Sequence, residues 1–257
     1  MCGIAALLLH PQERAPQTWQ EMGEIFTRSL IFNEARGNAA TGLAMIDSDG
    51  HFQILKRPLP ASEFTRLPEY RQMLEQLSST TTLLLGHTRL PTKGSPANND
   101  NNHPIIAGHV LGVHNGQIEN DDELFRRFHY PRQAQVDSEI IFRLLDAVSP
   151  QLLNGQYLNA ACKRLHLLQG QFTFLSSDLR MPRRLMVLKH HNPLCLHYHE
   201  EWNTLVFSSR YIFLRKAFGR AVITEALPHD QVMIFDADTL PRLGNQPQST
   251  CRFSAAQ

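Results

Sequence analysis

The chain has 257 residues, of which 42% are hydrophobic and 19% charged, so it can bury the core of one large domain or two small ones. Lys and Arg number 25 and Asp and Glu 24, which excludes the basic surplus on which nucleic-acid binding depends. The first apolar run, Ile4 to Leu9, is far shorter than the roughly 20 residues that span a bilayer, and no basic residue precedes it as in a secretory signal. Four scattered cysteines (Cys2, Cys162, Cys195 and Cys251) fit neither a disulfide framework nor a zinc site. We therefore expect a soluble cytoplasmic protein with no membrane or nucleic-acid partner.

Hydrophobic periodicity predicts a series of elements in the first third of the chain. The apolar run Gly3–Leu9 is typical of a buried strand, and apolar residues recur at helical spacing from Trp19 to Leu30. The Asp49-Gly50 pair indicates a hairpin. The remaining elements predicted here are the hairpin strands Thr41–Asp47 and His51–Lys56, a helix over Glu63–Leu77 and a strand over Thr81–Arg89.

A stretch rich in Pro, Gly and Asn extends from Leu90 to His109 without any periodic pattern. Long loops of this kind are often lids or binding loops, and we expect this one to be loose in the isolated chain. A strand over Val110–His114 follows. It is predicted to end in a tight turn at Asn115-Gly116, a pair that favours hairpins.

The rest of the chain is predicted to contain two helices followed by short strands. The first helix spans Ser138–Val148, with Asp137 or Ser138 able to cap it. The other predicted elements are a helix over Gly155–Leu168 and strands over Phe172–Ser176, Arg184–Lys189, Leu194–His199, Thr204–Ser208 and Gln231–Phe235. Because helices lie between clusters of strands and do not alternate with them one for one, the pattern indicates an α+β fold.

Cys2, which is followed by Gly3, admits two interpretations. It is either a small apolar residue at the start of a strand or, after removal of Met1, an N-terminal nucleophile with its own free α-amino group. An α-amine has an ordinary pKa of about 7.7–8.0 and a thiol one of about 8.5, so the amine can take up the thiol proton near neutral pH. The product is a thiolate nucleophile beside a glycine that leaves room for a substrate.

Six motifs in order along the chain favour the nucleophile. They are Met1-Cys2-Gly3-Ile4, Ala35-Arg36-Gly37 with Thr41-Gly42-Leu43-Ala44, Gly86-His87-Thr88-Arg89, Asn102-His103-Pro104, His114-Asn115-Gly116-Gln117-Ile118-Glu119-Asn120 and Val136-Asp137-Ser138-Glu139. With these motifs the chain resembles the class II glutamine amidotransferases, which are N-terminal-nucleophile hydrolases, and most of all the glutaminase domain of glucosamine-6-phosphate synthase. The resemblance implies a four-layer αββα sandwich and one glutaminase domain over residues 1–257, with no acceptor or synthase domain.

The resemblance also implies the catalytic groups. Cys2 would attack the side-chain amide carbon of glutamine, form a thioester and release ammonia. The side-chain amide of Asn115 and the backbone N–H of Gly116 would stabilise the oxyanion. Seen in isolation, this Asn-Gly pair is equally an ordinary hairpin turn.

Further residues are implied to bind the substrate. Arg89 would hold the α-carboxylate of glutamine, a task suited to a planar bidentate donor, and Asp137 would hold the α-ammonium. Asp137 also has the simpler interpretation of a helix N-cap, and both roles can coexist. Thr92 and His103 are assigned to the same substrate site.

Two residues in the loop that resembles the family's glutamine-covering lid depart from the family pattern. Leu90 stands where the synthase and phosphoribosyl-transferring relatives usually carry an aromatic residue, and Lys93 where the synthase has a histidine. These departures do not affect the thiol chemistry. They leave the identity of the ammonia acceptor open.

No metal or other cofactor is expected, because the family needs none. The histidines near Cys195 lack a carboxylate to complete a ligand set, and we interpret them as a polar strand pair near a surface. They are His190, His191, His197 and His199.

The leading hypothesis is a stand-alone amidotransferase that hydrolyses L-glutamine and supplies ammonia to a separate acceptor enzyme. No phosphate loop or nucleotide fingerprint accompanies the glutaminase motifs. A free-standing hydrolase of a γ-glutamyl amide is one alternative, and a degenerate domain acting as a regulatory or binding subunit is another. Self-association into a homo-oligomer is left open.

Overall fold

The computed structural model describes residues 2–152 and 155–255, and in these ranges the strands form two antiparallel sheets. In chain order the strands are β1 Gly3–Leu9, β2 Ala40–Asp47, β3 Phe52–Arg57, β4 Thr81–Arg89, β5 Ile105–Ala107, β6 Val110–Ile118, β7 Gly170–Asp178, β8 Arg184–His190, β9 Cys195–His199, β10 Thr204–Ser208, β11 Glu225–Ala226, β12 Gln231–Asp236 and β13 Ser249–Arg252. The helices are α1 Pro16–Asn33, α2 Ala61–Phe64, α3 Pro68–Leu74, α4 Asp121–Phe128, α5 Glu139–Asp146, α6 Gln156–Leu165, α7 Tyr211–Phe218 and α8 Leu240–Leu243.

The strand that follows Cys2 lies in the middle of the first sheet. That sheet has the order β11-β9-β10-β1-β4-β2-β3, and the second has the order β13-β12-β8-β7-β6-β5. In β1, Ala5 pairs with Ser208 on one side and with Gly86 on the other. Every residue of β1 and β4 is buried, which explains why β1 is a continuous apolar run and why β4 has a leucine run at its centre.

Three apolar clusters separate four layers. The central cluster lies between the sheets and includes Ile4 and Leu85 from the first sheet and Val113 from the second. A second cluster packs α1, α3 and α7 onto the first sheet, and a third packs α5 and α6 onto the second sheet. This order of helices, sheet, sheet and helices confirms the predicted αββα sandwich. None of the helices in the described ranges has both the length and the apolar composition needed to cross a membrane.

Two predicted element boundaries are wrong. The chain does not turn at Asn115-Gly116, because β6 continues to Ile118 and remains paired with β7 to its end. The helix predicted over Glu63–Leu77 is split into α2 and α3, since Leu67, the residue before Pro68, is extended.

Candidate active site

The thiol of Cys2 lies against the backbone at the end of β4. Its Sγ is 3.4 Å from both the nitrogen and the oxygen of Leu90, whose side chain is 44% exposed. The carbonyl of Cys2 accepts a hydrogen bond of 2.6 Å from Nε of Arg36. A Cβ at Gly3 would lie 2.7 Å from the carbonyl oxygen of Asn33, so only glycine lets β1 pass the end of α1 at this distance. Burial raises the pKa of the Cys2 thiol, while the Leu90 N–H and the charge of Arg89 act to lower it.

Arg89 is the last residue of β4 and is 3% exposed. Its Nη2 donates to the carbonyls of Lys93 and Gly94 at 2.6 and 2.9 Å, and its Nη1 donates to Oδ1 of Asn102 at 2.8 Å. A guanidinium has five N–H donors, so the Nε–H and one Nη1–H are left without these partners. Arg89 directly precedes Leu90, whose backbone contacts the Cys2 thiol, and the charges of Arg89 and Asp137 both act on the pKa of that thiol.

Asn115 and Gly116 lie inside β6, in the sheet opposite Cys2. Nδ2 of Asn115 donates to Oγ of Ser209 at 3.0 Å, and that hydroxyl also accepts the N–H of Ile4 at 2.8 Å. Ser209 therefore ties the Asn115 amide to the strand that begins beside Cys2. Gly116 has φ +123°, and a Cβ there would collide with the carbonyl of Gln171. A side chain at this position is excluded by both the backbone conformation and the space.

Asp137 does not cap α5, contrary to one of its two interpretations. Its Oδ2 accepts the backbone N–H of Ile118 at 2.6 Å, and α5 begins at Glu139 without a side-chain cap. Ser138 does not cap the helix either, because its hydroxyl lies 2.8 Å from Nδ1 of His114. Both side chains are bonded to residues of β6, and among the described residues no donor reaches Oδ1 of Asp137.

Thr92 and His103 are placed differently from each other. Thr92 is exposed in the loop that follows Arg89. His103 is buried, its ring centroid 4.2 Å from that of His87 and 6.3 Å from that of His114. Both ring nitrogens of His103 are buried without a hydrogen-bond partner within the described ranges.

The loop after Arg89, expected to be loose, is bonded to the body of the protein in the structure. Nζ of Lys93 donates to Asp121 at 2.7 Å and to Asp122 at 3.2 Å. Arg132 binds the same two carboxylates. Asn101 Nδ2 further donates to the carbonyl of Ser95 within the loop at 3.1 Å. Lys93, the departure from the synthase pattern, thus anchors the segment that covers Arg89.

The histidines near Cys195 and the acidic hairpin turn are the two places that suggest a metal by composition. His197 and His199 share a face of β9, as predicted, and the ring of His199 stacks on that of Trp202 at 3.9 Å. Among the described residues, the group whose ligand atoms lie close enough for an ion is Asp47, Asp49 and His51. Asp47 pairs with Thr81, at the opposite end of β4 from Arg89, so this group is remote from Cys2.

The three buried histidines predict acid lability. Burial lowers the pKa of His87 to about 3 and also lowers those of His103 and His114. In the unfolded chain these histidines have a pKa of about 6.5, so below that pH the unfolded chain binds more protons than the folded chain. The contribution of these histidines to the free energy of unfolding should therefore be fully present above about pH 6.5 and be lost steadily as the pH decreases. Thermal unfolding from pH 7.5 to 4.5 measures this. His103→Gln should reduce the loss of stability at low pH, whereas His229→Gln, a change at an exposed histidine, should not. The same pH dependence in both variants would contradict the role given to the buried histidines.

The chain matches a family model and several curated proteins in sequence. A sequence model of a family described as a glutamine amidotransferase domain matches residues 87–216. The chain is 27% identical over 199 residues to glutamine--fructose-6-phosphate aminotransferase (isomerizing) of Salmonella typhimurium. It is 28% identical over 199 residues to the protein of the same name from Yersinia pseudotuberculosis. Both alignments cover 76% of this chain and 30% of the relative, so the chain spans less than a third of the length of these curated relatives.

Solved structures share the fold. The glutamine phosphoribosylpyrophosphate amidotransferase of B. subtilis superposes with a TM-score of 0.70 at 18% identity, covering 98% of this chain and 49% of that one. A glutamine aminotransferase class-II domain protein from Silicibacter pomeroyi gives a TM-score of 0.53 at 16% identity and covers 98% of this chain and 100% of that one. The sandwich fold expected from the sequence is confirmed by these superpositions. Because the family model matches half of the sequence, the chain belongs to the glutamine amidotransferase domain family.

Proposed function

We propose that this protein hydrolyses the side-chain amide of L-glutamine with Cys2 as the nucleophile, and that residues 1–257 act as one glutaminase domain. The observation that carries the proposal is the contact of the Cys2 thiol with the backbone of Leu90, directly after the buried Arg89, with the charges of Arg89 and Asp137 acting on that thiol. A thiol beside one buried cation and one buried carboxylate suits the zwitterionic end of a free amino acid. The curated relatives, whose names include glutamine, support the same substrate.

Substrate recognition would use the groups that the fold leaves unpaired. The Nε–H or the remaining Nη1–H of Arg89 can donate a charge-assisted hydrogen bond to the α-carboxylate. The free Oδ1 of Asp137 can accept the α-ammonium. Lys93 and Gly94, whose carbonyls bind Arg89, would hold the guanidinium in place during this contact.

The thiol needs a base, because burial raises its pKa and keeps it protonated at neutral pH. We assign this role to the α-amine of Cys2, which exists only after Met1 is removed; Met1 lies outside the described residues. Attack of Sγ on the amide carbon gives a tetrahedral oxyanion, stabilised by the second N–H of Asn115 Nδ2 and by the Gly116 N–H. The amine then returns the proton to the leaving nitrogen, the C–N bond breaks, and ammonia departs. Water hydrolyses the resulting thioester to glutamate.

The proposed chemistry requires processing at the N-terminus. Protein without Met1 should release ammonia from glutamine, whereas protein that retains Met1 should not, because its Cys2 nitrogen is an amide without basic character. Intact-mass measurement on the active and inactive fractions checks this, with asparagine and γ-glutamyl amides as comparison substrates. Full activity with Met1 in place would contradict the mechanism. Faster turnover of a γ-glutamyl amide than of glutamine would indicate the alternative hydrolase.

We further propose that the ammonia serves a separate acceptor enzyme. Released into water, ammonia is protonated at neutral pH and becomes a poor nucleophile, so an amidotransferase gains by hydrolysing glutamine only when an acceptor is present. The 44% exposed side chain of Leu90, next to the thiol, offers an apolar contact for such a partner.

Coupling to the partner is measurable. Adding a candidate acceptor enzyme should raise kcat/KM for glutamine hydrolysis saturably, because its contacts at Leu90 would stabilise the substrate-bound site and exclude water from it. Leu90→Ser should weaken this effect, and the exposed Ile223→Ser should leave it unchanged. Fast turnover that no partner alters would instead indicate a free-standing glutaminase.

A further inference from the structure

A groove of about 810 Å³ borders the residues that hold Cys2. Leu90, which contacts the Cys2 thiol, and Arg36, which binds the Cys2 carbonyl, both line it. Arg210, the residue before α7, lines the same groove. The groove lies outside the contacts assigned above to glutamine, because neither Arg89 nor Asp137 lines it.

The two arginines of this groove form no ion pair with a carboxylate among the described residues. Arg36 is 7% exposed, and its Nη2 is buried without a hydrogen-bond partner in the described part of the chain. Burial and the nearby charge of Arg210 both lower the pKa of Arg36. Two cations that repel each other, one with an unused buried donor, are stabilised when an anion lies between them.

The carboxylate that lines the groove forms no ion pair with either arginine. Glu34 lines it, but its Oε2 accepts the backbone N–H of Ser62 at 2.6 Å and so is bonded toward α2. Asn38 adds an exposed side-chain amide, which can donate to an oxyanion. Gly37, which also lines the groove, must be glycine, because a Cβ there would collide with the peptide that joins Arg89 to Leu90.

We propose that this groove, called here the Arg36–Arg210 groove, is a binding site for the phosphate group of a small molecule. A phosphate ester carries about −1.5 to −2 charges at pH 7, which matches two unpaired guanidinium groups better than a single carboxylate does. Arginine forms bidentate contacts with phosphate oxygens, and the unused Nη2 of Arg36 supplies a buried donor. Binding itself rests on the groove alone.

Inorganic phosphate is the probe, titrated against chloride at matched ionic strength. Two readouts follow binding without using glutamine: the thermal unfolding midpoint, and the rate at which iodoacetamide alkylates Cys2. Phosphate should raise the midpoint saturably and slow the alkylation, because an anion beside the thiol disfavours its thiolate. Acetate at the same concentration should do both more weakly.

Substitutions locate the site. Arg210→Ala should weaken the apparent phosphate affinity about tenfold or more, as expected for the loss of a charge-assisted contact, and should abolish the protection of Cys2. Arg210→Lys should retain part of both effects. Arg215→Ala, which removes an exposed arginine of α7 outside the groove, should behave like the original protein. A phosphate effect no larger than that of chloride, or equal losses in Arg210→Ala and Arg215→Ala, would overturn the proposal. Absence of glutamine hydrolysis would leave these readouts unaffected and would count against the proposed function alone.

Discussion

Replacing Cys2 with serine is expected to reduce the kcat for glutamine hydrolysis by about 10³-fold or more. A hydroxyl is far harder to deprotonate than a thiol, and the α-amine is too weak a base to compensate. Glutamine binding should persist, because Arg89 and Asp137 carry the ground-state contacts in the proposed site. Ammonia release measures kcat, and calorimetric titration measures glutamine affinity.

The matched control for this change is Cys251→Ser. Cys251 is a half-buried free thiol on β13, the edge strand of the second sheet, whereas Cys2 precedes a central strand of the first sheet. Its replacement should leave kcat unchanged. Intact mass must show that Met1 is absent from both variants, so that only the nucleophile differs. Substantial hydrolysis by Cys2→Ser, or an equal loss in the control, would exclude Cys2 as the nucleophile.

Asn115→Ala is expected to lower kcat by about two to three powers of ten, the usual effect of removing one oxyanion-hole donor. KM should change little, since the amide contacts the oxygen that becomes charged in the transition state and not the amino-acid end of glutamine. Steady-state kinetics separate the two parameters.

The buried position of Asn115 requires a stability check on this variant. Its amide donates to Ser209, so the thermal midpoint of Asn115→Ala should be measured beside its kinetics. Asn115→Asp, which keeps the shape but removes both N–H donors, should be at least as inactive. Asn159→Ala, an exposed change on α6, should leave both kinetic parameters unchanged. A rise in KM with unaltered kcat would show that Asn115 binds substrate and does not stabilise the oxyanion.

The strands could be predicted because burial on both faces leaves a direct trace in the sequence. The run Gly3–Leu9 is apolar throughout, and the stretch Thr81–Arg89 has Leu83–Leu85 at its centre, since both lie in the middle of a covered sheet. The prediction failed at Asn115-Gly116 because local turn preference was outweighed by pairing with β7, which keeps Gly116 opposite Phe172. Tertiary pairing of this kind has no local signal.

Site residues that lie far apart in the chain were the ones that sequence patterns missed. Ser209 follows β10, yet its hydroxyl joins Ile4 to Asn115, a contact that no spacing rule predicts. The positions of Arg210 beside Arg36 and of Lys93 against Asp121 have the same origin. A serine directly after a buried strand is the one signal that could have pointed to Ser209.

The position of β1 in the first sheet has a consequence for how the protein is made. One neighbour of β1 is β4, but the other is β10, whose Thr204 pairs with Leu9. At a synthesis rate of about 5–20 residues per second, β10 leaves the ribosome roughly 10 to 40 s after β1. Throughout that interval β1, which directly follows Cys2, has one open edge, and the hydrogen bond from Ile4 to Ser209 has not formed. If Met1 is removed, as the proposed mechanism requires, an aminopeptidase has roughly 10 to 40 s to act before β10 pairs with β1.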